Sequence, residues 1–285
     1  MPNHPFYSNS LVECTEVEEL LNAGARPVQI DIDPEAYDQG HLPGAIPWHW
    51  ETQLRNPETQ QILTKVQFEE LMAASGIEPD TKVLLYGDNN NWFACWGFWL
   101  MKLYGHENVW LLDGGLRKWL SSGCPVTDEK PVYQQTSYTA KECDLSNKAT
   151  TENIFGAFFD PAGQALIDVR SSAEFEGRLR SPGAGMEAKC SIAGHIPNAI
   201  NIPWNLNCKA DGTFKDPDEL SPLYESFGVT RDKSVITYCA IGERSSLGWF
   251  VLKYLLDYKV VMNYDQSMAQ WCRLPNAPIE VGAAA

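Results

Sequence analysis

Residues 28–48 read VQIDIDPEAYDQGHLPGAIPW, a short apolar run followed by a G-H-x-P motif. Residues 165–204 repeat this pattern as ALIDVRSSAEFEG and, after an insertion, AGHIPNAINIPW. The repeat places His41 opposite His195, and because each stands in its own turn far from any candidate nucleophile, we expect both to be structural. Internal self-similarity is the signature of a repeated structural unit, so this stretch predicts two copies of one domain.

Two further blocks recur in the same order. KVLLYGD at 82–88 matches SVITYCA at 234–240, and LLDGGLRKW at 111–119 matches NYDQSMAQW at 263–271. Three matching blocks in one order support duplication of the whole domain rather than of a single motif.

Short β-branched runs alternate with stretches of helical period in both copies. The predicted strands are 28–32, 83–86 and 109–112, then 165–169, 235–238 and 260–263. The predicted helices are 15–22, 65–75, 92–104 and 116–121, then 151–158, 220–227, 245–254 and 268–271. This alternation predicts an α/β fold in two tandem domains, each with a mainly parallel sheet covered by helices on both faces. The aromatic segment 92–99 has helical spacing and is predicted to be core.

The chain has 285 residues, which is long enough for two domains. The stretch from Pro125 to about Thr150 is polar and lacks periodicity, as is typical of a linker. We therefore expect a first domain at 1–125, a linker at 126–145 and a second domain at 146–285.

The charge balance limits the partners. Lys and Arg number 22 against 37 Asp and Glu, giving a net charge of −15. Such a surface repels nucleic acid and acidic membranes, so neither is expected as a partner. An anionic substrate would have to be attracted by a local positive pocket.

Hydrophobicity and the amino terminus predict a cytoplasmic protein. The mean hydropathy is −0.30. The longest apolar run, near Trp92 to Leu100, is far shorter than the roughly 20 residues that span a bilayer. The sequence MPNHPFYSNS has neither the basic nor the apolar region of a secretory signal.

Eight scattered cysteines include no C-x-x-C pair that would indicate zinc, an iron–sulfur cluster or a redox dithiol. In a cytoplasmic chain most of them are expected to be small buried hydrophobic residues. No metal is predicted.

Cys239 is the exception, because it lies where a predicted strand passes through the loop CAIGERSS into a helix. Ligands bind at that edge of a parallel sheet, and backbone N–H groups at a helix start favour an anion. We expect this environment to lower the pKa of the Cys239 thiol and make it a nucleophile. Gly242 permits a tight backbone path, Ser245 and Ser246 are suited to open the helix, and Arg244 adds positive charge. An inert core cysteine is the alternative.

A phosphatase is a second alternative, because protein tyrosine phosphatases use a similar strand-loop-helix cysteine. They place five residues between Cys and Arg, whereas four separate Cys239 from Arg244. The loop is therefore one residue short of a phosphate-sized ring, and a smaller sulfur-centred site fits better.

The duplicated G-H-x-P motif, the Y-C-x-x-G-x-R-S loop in the second copy and the D-G-G-x-x-x-W segment in the first resemble the tandem-domain rhodaneses. These are the thiosulfate and 3-mercaptopyruvate sulfurtransferases, and the resemblance covers nearly the whole chain. It implies that Cys239 takes sulfur from a small anionic donor and passes it as a persulfide to cyanide or a thiol, without a cofactor. The first copy has Gly87 opposite Cys239 and is the inactive half by this resemblance.

The resemblance also implies the rest of the site. Arg170 matches the arginine that holds the anionic end of the donor, and Arg244 adds a second charge. The backbone N–H groups of the loop would stabilise the persulfide, and these belong to Ala240, Ile241, Gly242, Glu243, Arg244 and Ser245.

Several residues depart from the family pattern. Thiosulfate enzymes usually carry a basic residue after the cysteine and mercaptopyruvate enzymes a Gly-Ser pair, where this chain has Ala240 and Ile241. Glu176 replaces an arginine, and DQSM at 265–268 replaces DGSW. Thiosulfate is favoured as donor; the alternatives are 3-mercaptopyruvate and a non-catalytic sulfur-binding or regulatory role.

Overall fold

The protein is described here from a computed structural model that covers residues 10–31, 33–56, 59–159, 163–180, 190 and 192–282. The chain divides into two compact units, one of residues 1–144 with 210–214 and one of residues 145–209 with 215–285. The predicted linker forms no helix between residues 126 and 144, all of which are described, and this stretch groups with the first unit. Most of the predicted insertion before His195, residues 181–189 and 191, lies outside the described residues.

The first unit contains one parallel sheet of five strands in the order β1-β5-β4-β2-β3. The strands are β1 (Leu11–Val12), β2 (Arg26–Asp31), β3 (Ile46–His49), β4 (Val83–Tyr86) and β5 (Val109–Leu112). The helices are α1 (Val17–Asn22), α2 (Pro34–Asp38), α3 (Trp50–Gln53), α4 (Lys65–Ala74), α5 (Trp92–Leu103) and α6 (Gly115–Ser121).

The second unit contains a parallel sheet of four strands in the order β7-β6-β8-β9. The strands are β6 (Gln164–Asp168), β7 (Ile200–Asn201), β8 (Ser234–Tyr238) and β9 (Val261–Asn263). The helices are α7 (Thr151–Phe159), α8 (Ser172–Phe175), α9 (Pro217–Ser226), α10 (Glu243–Phe250) and α11 (Ser267–Trp271). A π-helical turn over Val251–Leu255 continues α10.

Both faces of each sheet are covered, as the apolar strands require. Tyr86 of β4 packs with Trp119 of α6, whereas its neighbour Leu85 faces Gly97 of α5. Successive side chains of a strand point to opposite faces, so a strand buried on both sides must be apolar throughout. The second unit repeats this arrangement with Tyr238 of β8 packed in the α11 core. The predicted fold class is confirmed.

The predicted elements recur with small shifts at their ends. The aromatic segment lies on α5, where Phe93, Trp96 and Trp99 are fully buried, so its assignment to the core is confirmed. The short strands β1, β3 and β7 were not predicted, since two to four residues carry too little periodicity. The helix after Cys239 begins at Glu243 rather than at Ser245, so that prediction was wrong.

Candidate active site

Cys239 directly follows β8, a strand with neighbours on both sides in the second unit. Its side chain is fully buried. The carboxyl end of a parallel strand is the edge at which ligands bind, and the chain passes from there through a short loop into α10. The predicted strand-loop-helix setting is confirmed.

The loop folds back toward the sulfur. Gly242 has φ of 105°, a left-handed conformation that glycine adopts at low cost, and it caps the start of α10. This conformation directs the Gly242 N–H at Cys239 Sγ over 3.0 Å. The sulfur therefore already has one of the N–H donors that a thiolate or persulfide would need.

The two serines inside the helix have a different task from the predicted capping. Ser245 Oγ lies 2.8 Å from the Gly242 carbonyl oxygen and 2.6 Å from Asn263 Oδ1, two acceptors that share its single proton. Ser246 Oγ donates to the Glu243 carbonyl at 2.6 Å. Because each hydroxyl bonds a carbonyl three residues earlier, the serines hold the loop onto the first turn of α10 rather than opening the helix.

Helix α11 holds Cys239 from the other side. Ser267 Oγ accepts the Cys239 N–H at 3.0 Å, and the Met268 N–H donates to the Cys239 carbonyl at 3.2 Å. The Ala269 N–H donates to the Ala240 carbonyl at 2.9 Å. The DQSM segment, singled out for its departure from DGSW, therefore fixes the backbone of Cys239.

A buried ion pair lies behind the loop. Arg244 donates from both terminal nitrogens to the two oxygens of Glu174, at 2.9 and 3.1 Å, and both side chains are 1% exposed. Burial opposes ionisation of Glu174, but the hydrogen bonds and charge of Arg244 outweigh it and lower the pKa of the carboxyl. The charge of Arg244 is therefore held near the loop by a carboxylate partner.

The pKa of Cys239 departs from the prediction. Burial raises the pKa of the thiol, and the carboxylate of Glu243, whose Oε2 lies 3.6 Å from Sγ, raises it further. Arg244 and the backbone N–H groups of Ile241 and Gly242 act in the opposite direction. The prediction of a lowered pKa for Cys239 was therefore wrong. Desolvation of the thiolate and the negative charge of Glu243 outweigh the N–H donors of the loop and the charge of Arg244.

The side chain of Arg170 is held by Asp168 and by a backbone carbonyl. Its Nε donates to both oxygens of Asp168 at 3.0 Å, and its Nη2 donates to Asp168 Oδ2 at 2.6 Å and to the Gly194 carbonyl at 2.9 Å. It is 4% exposed. No hydrogen bond between Arg170 and the Cys239 loop is recorded among the described residues, and the role of Arg170 in holding the donor stays a prediction.

The first unit has a different loop at the equivalent strand end. Gly87 follows β4 and donates its N–H to Asn91 Oδ1 at 3.1 Å. Three successive asparagines, Asn89 to Asn91, adopt positive φ. Burial and the neighbouring Asp31 raise the pKa of Asp88 to about 6. Gly87 offers no nucleophile at the position of Cys239.

The two histidines are structural, as predicted. His41 is stacked on Tyr37 and lies 3.0 Å from its carbonyl oxygen, and His195 is stacked on Phe175 and lies 2.8 Å from its carbonyl oxygen. Each ring thus bonds the helix that precedes its own turn.

Sequence reasoning missed three features of the site. The capping box SSAE at 171–174 indicates a helix start, but nothing in it pairs Glu174 with Arg244. Ser267 carried no signal for its bond to Cys239. A disulfide joins Cys190 to Cys272, directly after α11, whereas no cysteine pair was predicted.

Two kinds of feature are absent from the described residues. No group of three His, Cys, Asp or Glu side chains there could hold a metal ion. No described helix has the length and apolar character needed to cross a bilayer.

Known proteins match this chain over most of its length. The model of the family described as "Rhodanese-like domain" matches residues 13–122 and again 156–274. A protein of Haloferax volcanii named "Putative thiosulfate sulfurtransferase" is 43% identical and covers 99% of this chain and 100% of its own. "Sulfur carrier protein TtuD" of Thermus thermophilus is 41% identical and covers 93% of this chain and 94% of its own.

A solved structure supports the fold. The anaerobic ergothioneine biosynthesis enzyme of Chlorobium limicola matches with a TM-score of 0.85 at 22% identity, over 97% of this chain and 71% of that one. At this identity the likeness concerns the fold alone. The two family matches, in register with the two sheets, show that the chain belongs to the rhodanese family and carries two copies of its domain.

Proposed function

We propose that this protein is a thiosulfate sulfurtransferase that carries sulfur as a persulfide on Cys239. The observation that carries the proposal is the contact of the Gly242 N–H with Cys239 Sγ at a strand end where Arg244 supplies positive charge. Relatives named for thiosulfate sulfur transfer at 43–45% identity favour the same activity.

Glu243 is the group best placed to take the thiol proton. Its Oε2 lies 3.6 Å from Sγ, within the reach of a hydrogen bond to sulfur. Since the pKa of the thiol is raised, most of the resting protein holds the proton at neutral pH, and a nearby base is needed to produce the nucleophilic thiolate.

Sulfur then moves in two displacements. The Cys239 thiolate attacks the outer sulfur of thiosulfate, the sulfur–sulfur bond of the donor breaks, and sulfite leaves with its electron pair. Cyanide or a thiolate attacks the terminal sulfur of the persulfide, and the Cys239 thiolate leaves with the pair of that bond. The Gly242 N–H and the charge of Arg244 stabilise the anion present at each stage.

The donor pocket is weakly charged for a dianion. Ala240 supplies no cation after the cysteine, and the guanidinium groups of Arg244 and Arg170 are bound by Glu174 and Asp168. One charge-assisted hydrogen bond contributes about 1.5–3 kcal/mol, so its loss weakens binding by roughly ten- to a hundredfold. We expect a high KM for thiosulfate, and Ala240→Arg should lower it.

Intact-mass measurement tests the proposal. Incubation with thiosulfate should add the mass of one sulfur atom to the wild type, and cyanide should remove it. Cys239→Ser should take up no sulfur, whereas Cys208→Ser, a matched loss of another cysteine that lies outside the disulfide in the same unit, should behave as the wild type. A wild type that gains no sulfur from thiosulfate contradicts the assignment of this donor.

A sulfur carrier is the second candidate, favoured by the 41% identity to "Sulfur carrier protein TtuD". A carrier would load Cys239 in the same way but would discharge slowly to cyanide. Steady-state thiocyanate production separates the two: repeated turnovers per chain support the enzyme, and a single stoichiometric release supports the carrier.

A further inference from the structure

A cavity of about 500 Å³ lies in the first unit, separate from the Cys239 loop. Gln29 and Asp31 of β2 line one side of it, together with His49 of β3, the residue paired with Asp31 in the sheet. Trp48 and Tyr37 add aromatic surface. The volume is in the range of roughly 300–1,000 Å³ that small-molecule sites occupy.

Gln29 presents an unused acceptor to this cavity. Its side chain is 1% exposed, and its Nε2 donates to Asp31 Oδ2 at 2.5 Å. Its Oε1 is buried and has no hydrogen-bond partner among the described residues. Buried polar atoms of folded proteins nearly always have a partner, so this oxygen is available to accept from an N–H or O–H donor.

Asp31 presents a carboxylate beside it. The carboxylate is 4% exposed and accepts from Gln29 Nε2 and, at 3.3 Å, from the Asp88 N–H. In the described part of the chain no cation forms an ion pair with it. Burial raises the pKa of Asp31, and the charge of Asp33 adds to this effect, as expected for a buried acid that lacks a counter-ion.

In the second unit, the acid equivalent to Asp31 binds an arginine. The repeat aligns Asp31 with Asp168 and Asp33 with Arg170. Arg170 Nε and Nη2 both donate to the carboxylate of Asp168. The first unit keeps the carboxylate but has an acid in place of the arginine, so the guanidinium is missing.

We propose that the cavity binds a small molecule carrying a guanidinium group, which occupies at Asp31 the place that Arg170 occupies at Asp168. A guanidinium is planar and donates in parallel to two acceptors, which here are Asp31 and Gln29 Oε1. The aromatic surface suits its flat faces. At the rim Lys130 is paired with Asp38 at 2.6 Å, and Asp33 adds negative charge, so the cavity favours a cation.

Titration calorimetry with agmatine tests the proposal, with N-carbamoylputrescine as the isostere that carries a neutral urea in place of the guanidinium and keeps the same amine. Wild-type protein should bind one agmatine per chain, at least about tenfold more tightly than the isostere. Asp31→Asn should weaken agmatine binding by about tenfold or more. Glu70→Gln, which removes a negative charge from an exposed acid of α4 outside the cavity lining, should change it by less than about threefold.

A matched pair at Asp33 gives a second test that does not depend on weakening the fold at Asp31. Asp33→Arg restores the arginine of the second unit and should abolish agmatine binding by filling the site. Asp33→Ala removes the same carboxylate without adding a guanidinium, so it should weaken agmatine binding by about threefold or less and leave it saturable. Circular dichroism in the aromatic region checks that both variants are folded.

The binding assay does not require sulfur transfer, so its results test this proposal independently of the proposed function. Absence of saturable agmatine binding to the wild type overturns this proposal, as does equal binding of the urea isostere or full binding by Asp33→Arg. A blocked arginine, N-acetyl-arginine methylamide, distinguishes a free ligand from a protein side chain. If it binds as tightly as agmatine, the assignment to a small molecule is overturned.

Discussion

Opposed charges surround the sulfur of Cys239. Burial and the carboxylate of Glu243 raise the pKa of the thiol, whereas Arg244 lowers it, and the net result is that the protonated form predominates. Arg244 keeps its charge in the interior because Glu174 binds it through two hydrogen bonds. Removing one partner of such a buried pair costs about 3–5 kcal/mol, so neither residue can be changed alone without loss of stability.

Replacing Glu243 should change the ionisation of the nucleophile. Glu243→Gln removes the negative charge beside Sγ, so the pKa of Cys239 should fall and the thiolate should be more populated at neutral pH. The alkylation rate of Cys239 by iodoacetamide, followed against pH by peptide mass spectrometry, should rise at a lower pH than in the wild type. Glu225→Gln, an exposed acid on α9, makes the same change in net charge and should leave the profile unchanged. A Glu243→Gln profile identical to that of the wild type would contradict the assignment.

Among the helices, α11 links the nucleophile to the disulfide. Its first residues bond the backbone of Cys239 and Ala240, and Cys272 directly after it is joined to Cys190. The Cys272 N–H also donates to the Met268 carbonyl at 3.0 Å. The helix is therefore anchored at both ends, by hydrogen bonds to the backbone of Cys239 and Ala240 and by the disulfide bond.

The disulfide should stabilise the second unit. It closes a loop between residues 82 positions apart, and such cross-links typically contribute about 2–4 kcal/mol by restricting the unfolded chain. Cys190→Ser should lower the free energy of unfolding in urea by about this amount. A reductant should lower the stability of the wild type to that of the variant and leave the variant unchanged. Equal stability of oxidised and reduced wild type would show that the bond contributes nothing.

In the molecule as a whole, two copies of one fold carry different loops at the equivalent strand end. Both place a loop after a buried parallel strand, yet the second loop holds a cysteine and the first holds Gly87. A Cβ at Gly87 would overlap the carbonyl oxygen of Ile30, so the first loop lies too close to β2 for any side chain. The difference between the copies therefore includes the backbone as well as the missing nucleophile.

Placing a cysteine in the first loop should not create a second active site. In a Cys239→Ser background, Gly87→Cys should gain no sulfur from thiosulfate, because the loop has no room for the side chain. Overpacking of this kind should destabilise the protein by about 1–3 kcal/mol in urea unfolding. Intact mass after incubation with thiosulfate measures the first effect. Uptake of sulfur by the double variant would show that the first loop needs only a nucleophile.

Much of the fold was predictable because its signals are local or repeated. Apolar runs such as 83–86 and the periodic segment 92–104 identify strands and helices from neighbouring residues alone. The internal repeat identifies Cys239 as the residue that the first copy lacks. The start of α10 was misjudged because serines suit a helix cap in isolation, whereas here Gly242 caps the helix.

The sequence was sufficient for the two-domain α/β fold, the strand-end position of Cys239 and the structural role of His41 and His195, since patterns of period, turn and repeat are carried by the chain itself. Tertiary contacts were needed for the pairing of Arg244 with Glu174, of Arg170 with Asp168, and for the raised pKa of Cys239. These depend on burial and on distances between residues remote in the chain. The sequence identifies the charged side chains, but the tertiary structure determines which of them form ion pairs and how strongly each is shielded from water.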